Sequence, residues 1–469
     1  MEKIQFNKQF IIGITMVSAM GGLLFGYDWV VIGGAKPFYE RFFQITNSPS
    51  LQGWAMSSAL IGCLFGALFS GYFSDRFGRK KPLIGAAALF TISAVGTGAV
   101  NQMTPFIIYR LIGGLGIGLA SAVSPMYIAE IAPANMRGKL VSVNQLTIVI
   151  GILAAQIVNY LIAEKVPDGA TDGMILQSWN GQTGWRWMFW AEVVPAFLFF
   201  VMAFFIPESP RFLVKTGNHV KAISIFERIG GKAYAETEEQ NISETLKEAS
   251  QKVNWRELAA KNIRPVMIIG LVLAVLQQWC GINVIFNYAE EIFTSAGYSV
   301  SDMLFNIVIT GTVNLVFTLV AMQVVDSWGR RNLMILGVAG LSLIYLVLGA
   351  SYFFQIKGLA VLILVLLAIA VYAMTLAPVI WVVLSEIFPN KIRGAAMSVA
   401  TTALWIACFV LTYTFPILNK TLNASGTFWL YAFICLSGFL FILKKLPETK
   451  GKRLEEVESF FKTRNNASK

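Results

Sequence analysis

Apolar runs alternate along the chain with short polar interruptions, and each run approaches or exceeds the roughly 20 residues that an α-helix needs to cross a bilayer. They begin around Phe10, Gly53, Pro82, Thr104, Leu140, Trp187, Arg264, Met303, Leu333, Leu359, Ala395 and Thr427, a pattern that predicts twelve spans. The longest polar interruption, 207–262, contains helix-favouring stretches at 220–229 and 238–252, which predict short amphipathic helices on the membrane surface. The expected organisation is a six-span half over 1–206, a helical linker over 207–262, a second six-span half over 263–446 and a polar tail over 447–469.

Composition agrees, because a chain of 469 residues that is 56% hydrophobic and only 13% charged must use lipid as solvent. Its cations fall in alternate short loops. One set holds Arg76, Arg79, Lys80 and Lys81, then Arg137 and Lys139, Arg330 and Arg331, and Lys391 and Arg393, whereas 101–104 and 295–302 are almost free of them. Cationic loops stay on the cytoplasmic side, so both termini are expected in the cytoplasm and the formal charge of +11 follows from topology. A nucleic-acid surface would instead gather its cations on one domain. Lys3 and Lys8 precede a run too long for a secretory signal and followed by no cleavage site, so that run reads as the first span. Short loops and the lack of a targeting segment fit a multi-pass protein of a bacterial inner membrane.

Several chemistries find no support. Cys63, Cys280, Cys408 and Cys435 lie in spans at unrelated spacings, which indicates neither a disulfide framework nor a metal site. The single histidine, His219, sits in the linker, so neither a Ser-His-Asp set nor a histidine proton relay can form in the spans. GGLGIG at 113–118 lies inside an apolar run without a βαβ unit, where small residues instead let helices approach closely. With no phosphate-binding loop either, neither an enzyme nor an ATP-driven pump is expected, and no cofactor. The expected partners are a small solute, a proton and the bilayer, and the chain is expected to act as a monomer.

The chain repeats itself once. GYFSDRFGRK at 71–80 recurs as VDSWGRR at 325–331, AEIAPANMRG at 129–138 as SEIFPNKIRG at 385–394, and PESPRF at 207–212, weakly, as PETKGK at 447–452. A separation near 250 residues is what two parallel six-span repeats require. Asp75, Arg79, Glu130 and Arg137, with Asp326, Arg330, Glu386 and Arg393, place acids and arginines at helix ends on one side, where charge-assisted hydrogen bonds make a latch. Glu208, Arg211 and Glu448 join this expected cytoplasmic gate through the PES and PET motifs.

The most informative residue is Asp28, in GGLLFGYDWVVIGG within the apolar stretch 9–34. A carboxylate at bilayer depth costs about 2.5 to 3.5 kcal/mol and therefore faces a bundle interior or cavity and carries function. Arg110 in IYRLIGG and Glu192 in MFWAE are the other intramembrane charges of the first half. On the seventh span, Gln277, Gln278 and Asn283 supply amides that donate and accept hydrogen bonds without net charge, as a neutral polyol demands. A regular helix would splay these three, and a break near Gly281 would make them converge.

These segments, GGLLFGYDWVVIGGA, DRFGRK, YRLIGGLGIG, SPMYIAEIAP, MRGKLVSVNQ, GWRWMF, PESPRFL, QQWCGIN, VDSWGRR, SEIFPNKIRG and PETKGK, cover nearly the whole chain. It resembles the sugar porters of the major facilitator superfamily, in particular bacterial xylose symporters and mammalian glucose facilitators. The resemblance implies an all-α integral membrane protein with twelve helices in two six-helix pseudo-symmetric halves, short cytoplasmic helices between them, and a central site opened alternately to each side. It implies sugar contacts from Gln145, Gln277, Gln278, Asn283, Asn314, Trp381, Trp405 and Phe25, with Ile152, Phe286, Asn287 and Tyr288 at further pocket positions. It also pairs Asp28 with Arg110. On this reading Asp28 takes a proton from outside, loses its ion pair and crosses the closed state neutral, with Glu192 as a third ionisable group beside it. The expected function is proton-coupled symport of a monosaccharide such as glucose or xylose. A passive facilitator is the alternative, and a sugar sensor a more remote one.

The sequence also departs from the xylose symporters. Leu404 stands where they have glutamine, Asn287 replaces a tyrosine and Ala377 a glycine, while Ile152 and Phe286 match the glucose facilitators. These changes leave the sugar class intact and its identity open.

Overall fold

The computed structural model describes residues 5–167, 169–248, 258–260, 263–389 and 392–450. The end of the expected linker helix at Lys252, Lys391, the Asp326 side chain and the tail beyond 450 lie outside the described residues.

Among the described residues the regular structure is helical. The first half comprises α1 (Lys8–Phe42), α2 (Pro49–Phe77), α3 (Lys80–Ala99), α4 (Met103–Ile131), α5 (Arg137–Ile162) and the short α6 (Asp172–Gln177). A π-turn at Asn180–Gly184 then leads into α7 (Trp185–Trp190) and α8 (Val193–Ala203), and these three pieces form the sixth span, Asn180–Ala203. The linker folds as α9 (Pro210–Lys215), α10 (His219–Gly230) and α11 (Lys232–Glu248). The second half contains α12 (Arg264–Trp279), α13 (Ile282–Asn287), α14 (Ala289–Ser295), α15 (Val300–Trp328), α16 (Arg330–Phe353), α17 (Leu359–Met374), α18 (Leu376–Ile387) and α19 (Arg393–Lys445).

The spans are helical because no backbone polar group finds water in the hydrocarbon layer, and a helix satisfies all of them internally. The last one, α19, covers 53 residues, more than twice what one crossing needs. Its backbone leaves the helical region at Asn423 (φ 58°, ψ 176°), so α19 is two spans joined by a sharp turn. Counted that way, the eleven long apolar helices among the described residues make the twelve expected spans.

The chain divides into two compact units. One joins Met1–Trp29, Ile61–Ala155 and Phe189–Lys252. In it the linker helices carry an apolar face, with Ile225, Phe226, Ile229 and Tyr234 buried against Ile11, Ile128 and Leu140. The other joins Val30–Leu60, Gln156–Met188 and Val253–Lys469. It therefore gathers the distal ends of α1, α2 and α5 together with α12–α19. Three contacts tie those ends in: Asn159 Nδ2 donates to the Val31 carbonyl at 2.9 Å, the Trp54 ring meets Phe409 edge-on at 6.2 Å, and Tyr160 packs against Phe305 at 5.8 Å.

Candidate functional site

In the first unit, Asp28 on α1 and Arg110 on α4 form a direct ion pair, both only 2% exposed. The guanidinium also donates weakly to the Asp28 carbonyl at 3.4 Å and lies 5.9 Å from the Phe189 ring. Glu192, equally buried at the start of α8, interacts electrostatically with both. Two of the carboxylate oxygens, Asp28 Oδ2 and Glu192 Oε1, have no hydrogen-bond partner. Two acids thus share one arginine in a dry environment, where one proton decides whether the net charge is balanced. Gly113 makes the pairing sterically feasible. A Cβ there would lie 2.9 Å from Asp28 Oδ2 and closer still to Ser93 Oγ, so only glycine lets α4 approach the aspartate.

In the second unit, the seventh span is broken where the sequence predicts. Gly281 adopts φ +84°, a left-handed conformation that costs glycine little, and separates α12 from α13. The break turns Asn283 back toward α12, and its Nδ2 donates to Gln278 Oε1 at 2.5 Å. Gln278 Nε2 approaches Gln277 Oε1 at 3.5 Å, and Gln277 Nε2 reaches the Ala377 carbonyl at 3.4 Å. The outcome is a buried chain of amides. Its links at 3.4 and 3.5 Å are long enough for a hydroxyl to displace at small cost. Ala377 is on α18, four residues before Trp381, which is 38% exposed; Asn283 also contacts Cys408 at 3.6 Å on α19, one turn beyond buried Trp405.

The other predicted positions divide between the units. Asn314 is buried on α15, Phe286 and Asn287 are buried on α13, and the Tyr288 hydroxyl donates to the Thr412 carbonyl at 2.6 Å. In the first unit, Gln145 is exposed and Ile152 half-buried on α5, and Phe25 meets Trp29 edge-on at 5.8 Å. There α1 and α5 cross so closely that a Cβ on Gly26 would overlap the Ile148 carbonyl.

The repeated loops fold alike. Arg79 Nη2 pairs with Glu130 at 2.7 Å, and Arg330 Nη2 with Glu386 at 3.2 Å. Glu208 accepts the Arg79 and Lys80 amides at 2.7 and 3.2 Å; Glu448 accepts those of Arg330 and Arg331 at 3.0 and 3.1 Å. Each acid thereby caps the orphan amides of a helix N-terminus. Arg137 and Arg393 both reach back to carbonyls five residues earlier, Ala132 at 3.5 Å and Phe388 at 3.2 Å. Asp75 pairs with Lys215 of α9 at 2.8 Å on the exposed surface, and Arg211 is exposed on α9.

One cluster escaped the sequence reading. Lys36, near the end of α1, is 1% exposed and ion-paired with Glu40, Glu290 and Glu291. Its only local signal is the lysine and glutamate four residues apart at the end of an apolar run, which reads as an ordinary span terminus.

Comparison with known proteins places this geometry among relatives. The family profile described as "Sugar (and other) transporter" matches residues 14–461. The D-xylose-proton symporter of Escherichia coli is 40% identical, with 97% of each chain covered. The arabinose-proton symporter of Bacillus subtilis is 37% identical over 96% of this chain and 95% of its own. Among solved structures, the inward open conformation of the xylose transporter XylE from E. coli superposes with a TM-score of 0.83 at 39% identity, covering 96% of this chain and 99% of that one.

Proposed function

Because the chain belongs to the family of sugar transporters, we propose that it carries a neutral monosaccharide, a hexose or pentose, inward with a proton by alternating access. The observation that carries this reading is the buried Asp28–Arg110 pair with Glu192 beside it. A facilitator for a neutral sugar has no use for a second buried acid on one arginine. Here a proton arriving from outside neutralises Asp28, frees Arg110 to satisfy Glu192, and lets the site reorient without an unpaired charge. Return of Arg110 to Asp28 expels the proton on the other side.

The amides of Gln277, Gln278 and Asn283 hold the sugar, together with Gln145, Asn314 and the rings of Trp381, Trp405 and Phe25, while Ile152, Phe286, Asn287 and Tyr288 shape the pocket. The amide chain described above supports this, since it presents donors and acceptors without charge. The two repeated loop clusters serve as the cytoplasmic gate, with both termini on that side of an inner membrane. The 1–206 and 263–446 halves move about the site as a monomer. One proton per neutral sugar also moves charge, so a 100 mV potential adds about 2.3 kcal/mol, roughly fifty-fold accumulation.

The test is proton uptake by liposomes that hold the purified protein and an internal pH dye, on adding glucose, xylose, arabinose, galactose, fructose or inositol in turn. Acidification with one of them supports symport and identifies the sugar. Labelled-sugar exchange without acidification for any of the six makes the protein a facilitator.

A further inference from the structure

The Lys36 cluster has the form of a lock. An ammonium carries three N–H donors and no acceptor, and Lys36 Nζ meets three carboxylates: Glu40 Oε2 at 3.1 Å, Glu290 Oε2 at 3.2 Å and Glu291 Oε1 at 2.6 Å. Arg41 extends the network, with Nη1 on Glu290 Oε1 at 3.1 Å and Nε on Asp172 Oδ1 at 2.8 Å, and Gln52 Nε2 donates to Glu40 Oε2 at 2.8 Å. Two cations from α1 thus hold two acids of α14, all within one compact unit.

The element they hold is a short, jointed one. Gly281 separates α12 from α13, and Tyr288, at φ −122° and ψ 33°, separates α13 from the seven-residue α14. With a joint on each side of α13, α14 has little backbone continuity to fix it, so side chains must do so. The lock also adjoins the amide chain. Lys36 Nζ lies 5.8 Å from the centre of the Tyr288 ring, five residues past Asn283 on the same broken span. The 29-residue α15 runs from beside α14 to the Arg330–Glu386 cluster, so the lock and that gate lie at opposite ends of a full span.

We infer that Lys36 is a positioning residue of the transport cycle, pinning α14 against the distal end of α1 to keep the outer side of the sugar site shut. This rests on the orientation and function proposed above. Opening to the outside requires the ammonium to let go of Glu290 and Glu291, and closing after sugar binds requires it to recapture them. Without the lysine, the remaining acids repel one another, and the outer-open state gains population.

The consequence is a split that a merely structural residue would not give. In Lys36→Gln, external sugar should half-saturate at about threefold lower concentration, because more of the protein is competent to bind it. Maximal influx should fall about tenfold, because closure has lost its anchor. Lys36→Arg, which keeps the charge but not the compact geometry, should fall between the two. The second readout needs no sugar: nitroxides on Asn47→Cys and Ser295→Cys, both exposed sites in a chain whose native cysteines are buried, report the distance from the α1–α2 loop to the end of α14. Lys36→Gln should add a longer-distance population, and added sugar should reduce it. A distance distribution unchanged by Lys36→Gln overturns the lock, whatever happens to transport, and so does a half-saturating concentration that stays the same or rises while maximal influx falls. If Lys36→Gln does not fold, Glu291→Gln removes the 2.6 Å contact alone and decides the question by the same distances. A wild-type protein that moves none of the six sugars would refute the proposed function, yet the spin-label distances would still decide the lock.

Discussion

The two halves of this protein are alike at their ends and unlike in their middles. At the loops, Glu208 and Glu448 cap matched helix starts, Arg79 and Arg330 pair with matched acids, and Gly78 and Gly329 both take a positive φ, +86° and +85°. At bilayer depth the first half buries Asp28, Arg110 and Glu192, whereas the second presents Gln277, Gln278 and Asn283. The repeat thus keeps its loop clusters in common and differs in the polar groups that its spans bury. On the proposed assignment the proton site and the seventh-span amides lie in different halves, so a proton and a sugar need not compete for the same groups.

The largest expected effect breaks the charged half. Asp28→Asn should abolish accumulation while leaving sugar exchange across the membrane largely intact, as measured by paired uptake and counterflow; a mutant that still concentrates sugar removes Asp28 from the coupling role. Breaking the neutral half comes next. Gln278→Ala should weaken sugar binding by about 1 to 3 kcal/mol, or roughly 5- to 150-fold, read by calorimetry, since it leaves the Asn283 amide only the weak Cys408 sulfur as acceptor. A smaller effect sharpens the likeness of the ends. Glu208→Gln and Glu448→Gln should each cost about 0.5 to 2 kcal/mol of stability. Melting temperatures lowered by similar amounts support equivalent caps, and unequal shifts would show that the repeat has diverged in function. Smallest of all, Leu404→Gln should change the ratio of xylose to glucose affinity by about fivefold or less, a single hydrogen-bonding group's share in a mixed pocket. A larger change would make position 404 the main determinant of sugar choice.

Much of this was legible without coordinates, for reasons that differ from residue to residue. Asp28 and Arg110 stand out because a charge in an apolar run is costly and has few tolerable partners. The loop clusters are visible because they occur twice. The Gly281 break is readable because Gln278 and Asn283 face apart on a regular helix and glycine is the residue that changes that. Spacing, however, does not reveal which groups meet across the fold. Asp75 looks like a member of the arginine network, yet the structure gives it Lys215, a residue of the linker. Lys36 and Glu40 read as the end of a span because their partners lie some 250 residues away, and nothing local announces a contact that tertiary structure alone creates.

That distance also sets an order of events during synthesis. Lys36 leaves the ribosome 254 residues before Glu290, which at about 5 to 20 residues per second is a wait of roughly 13 to 50 s. For that interval the newly inserted first span carries a lysine near its C-terminal end, with Glu40 as its only companion from the quartet. The nascent first half therefore cannot reach its final arrangement until the seventh span arrives. A chain truncated before Glu290 should leave Lys36 within reach of an insertase or of an anionic headgroup, and this makes the first span a natural client for whatever escorts membrane proteins through assembly.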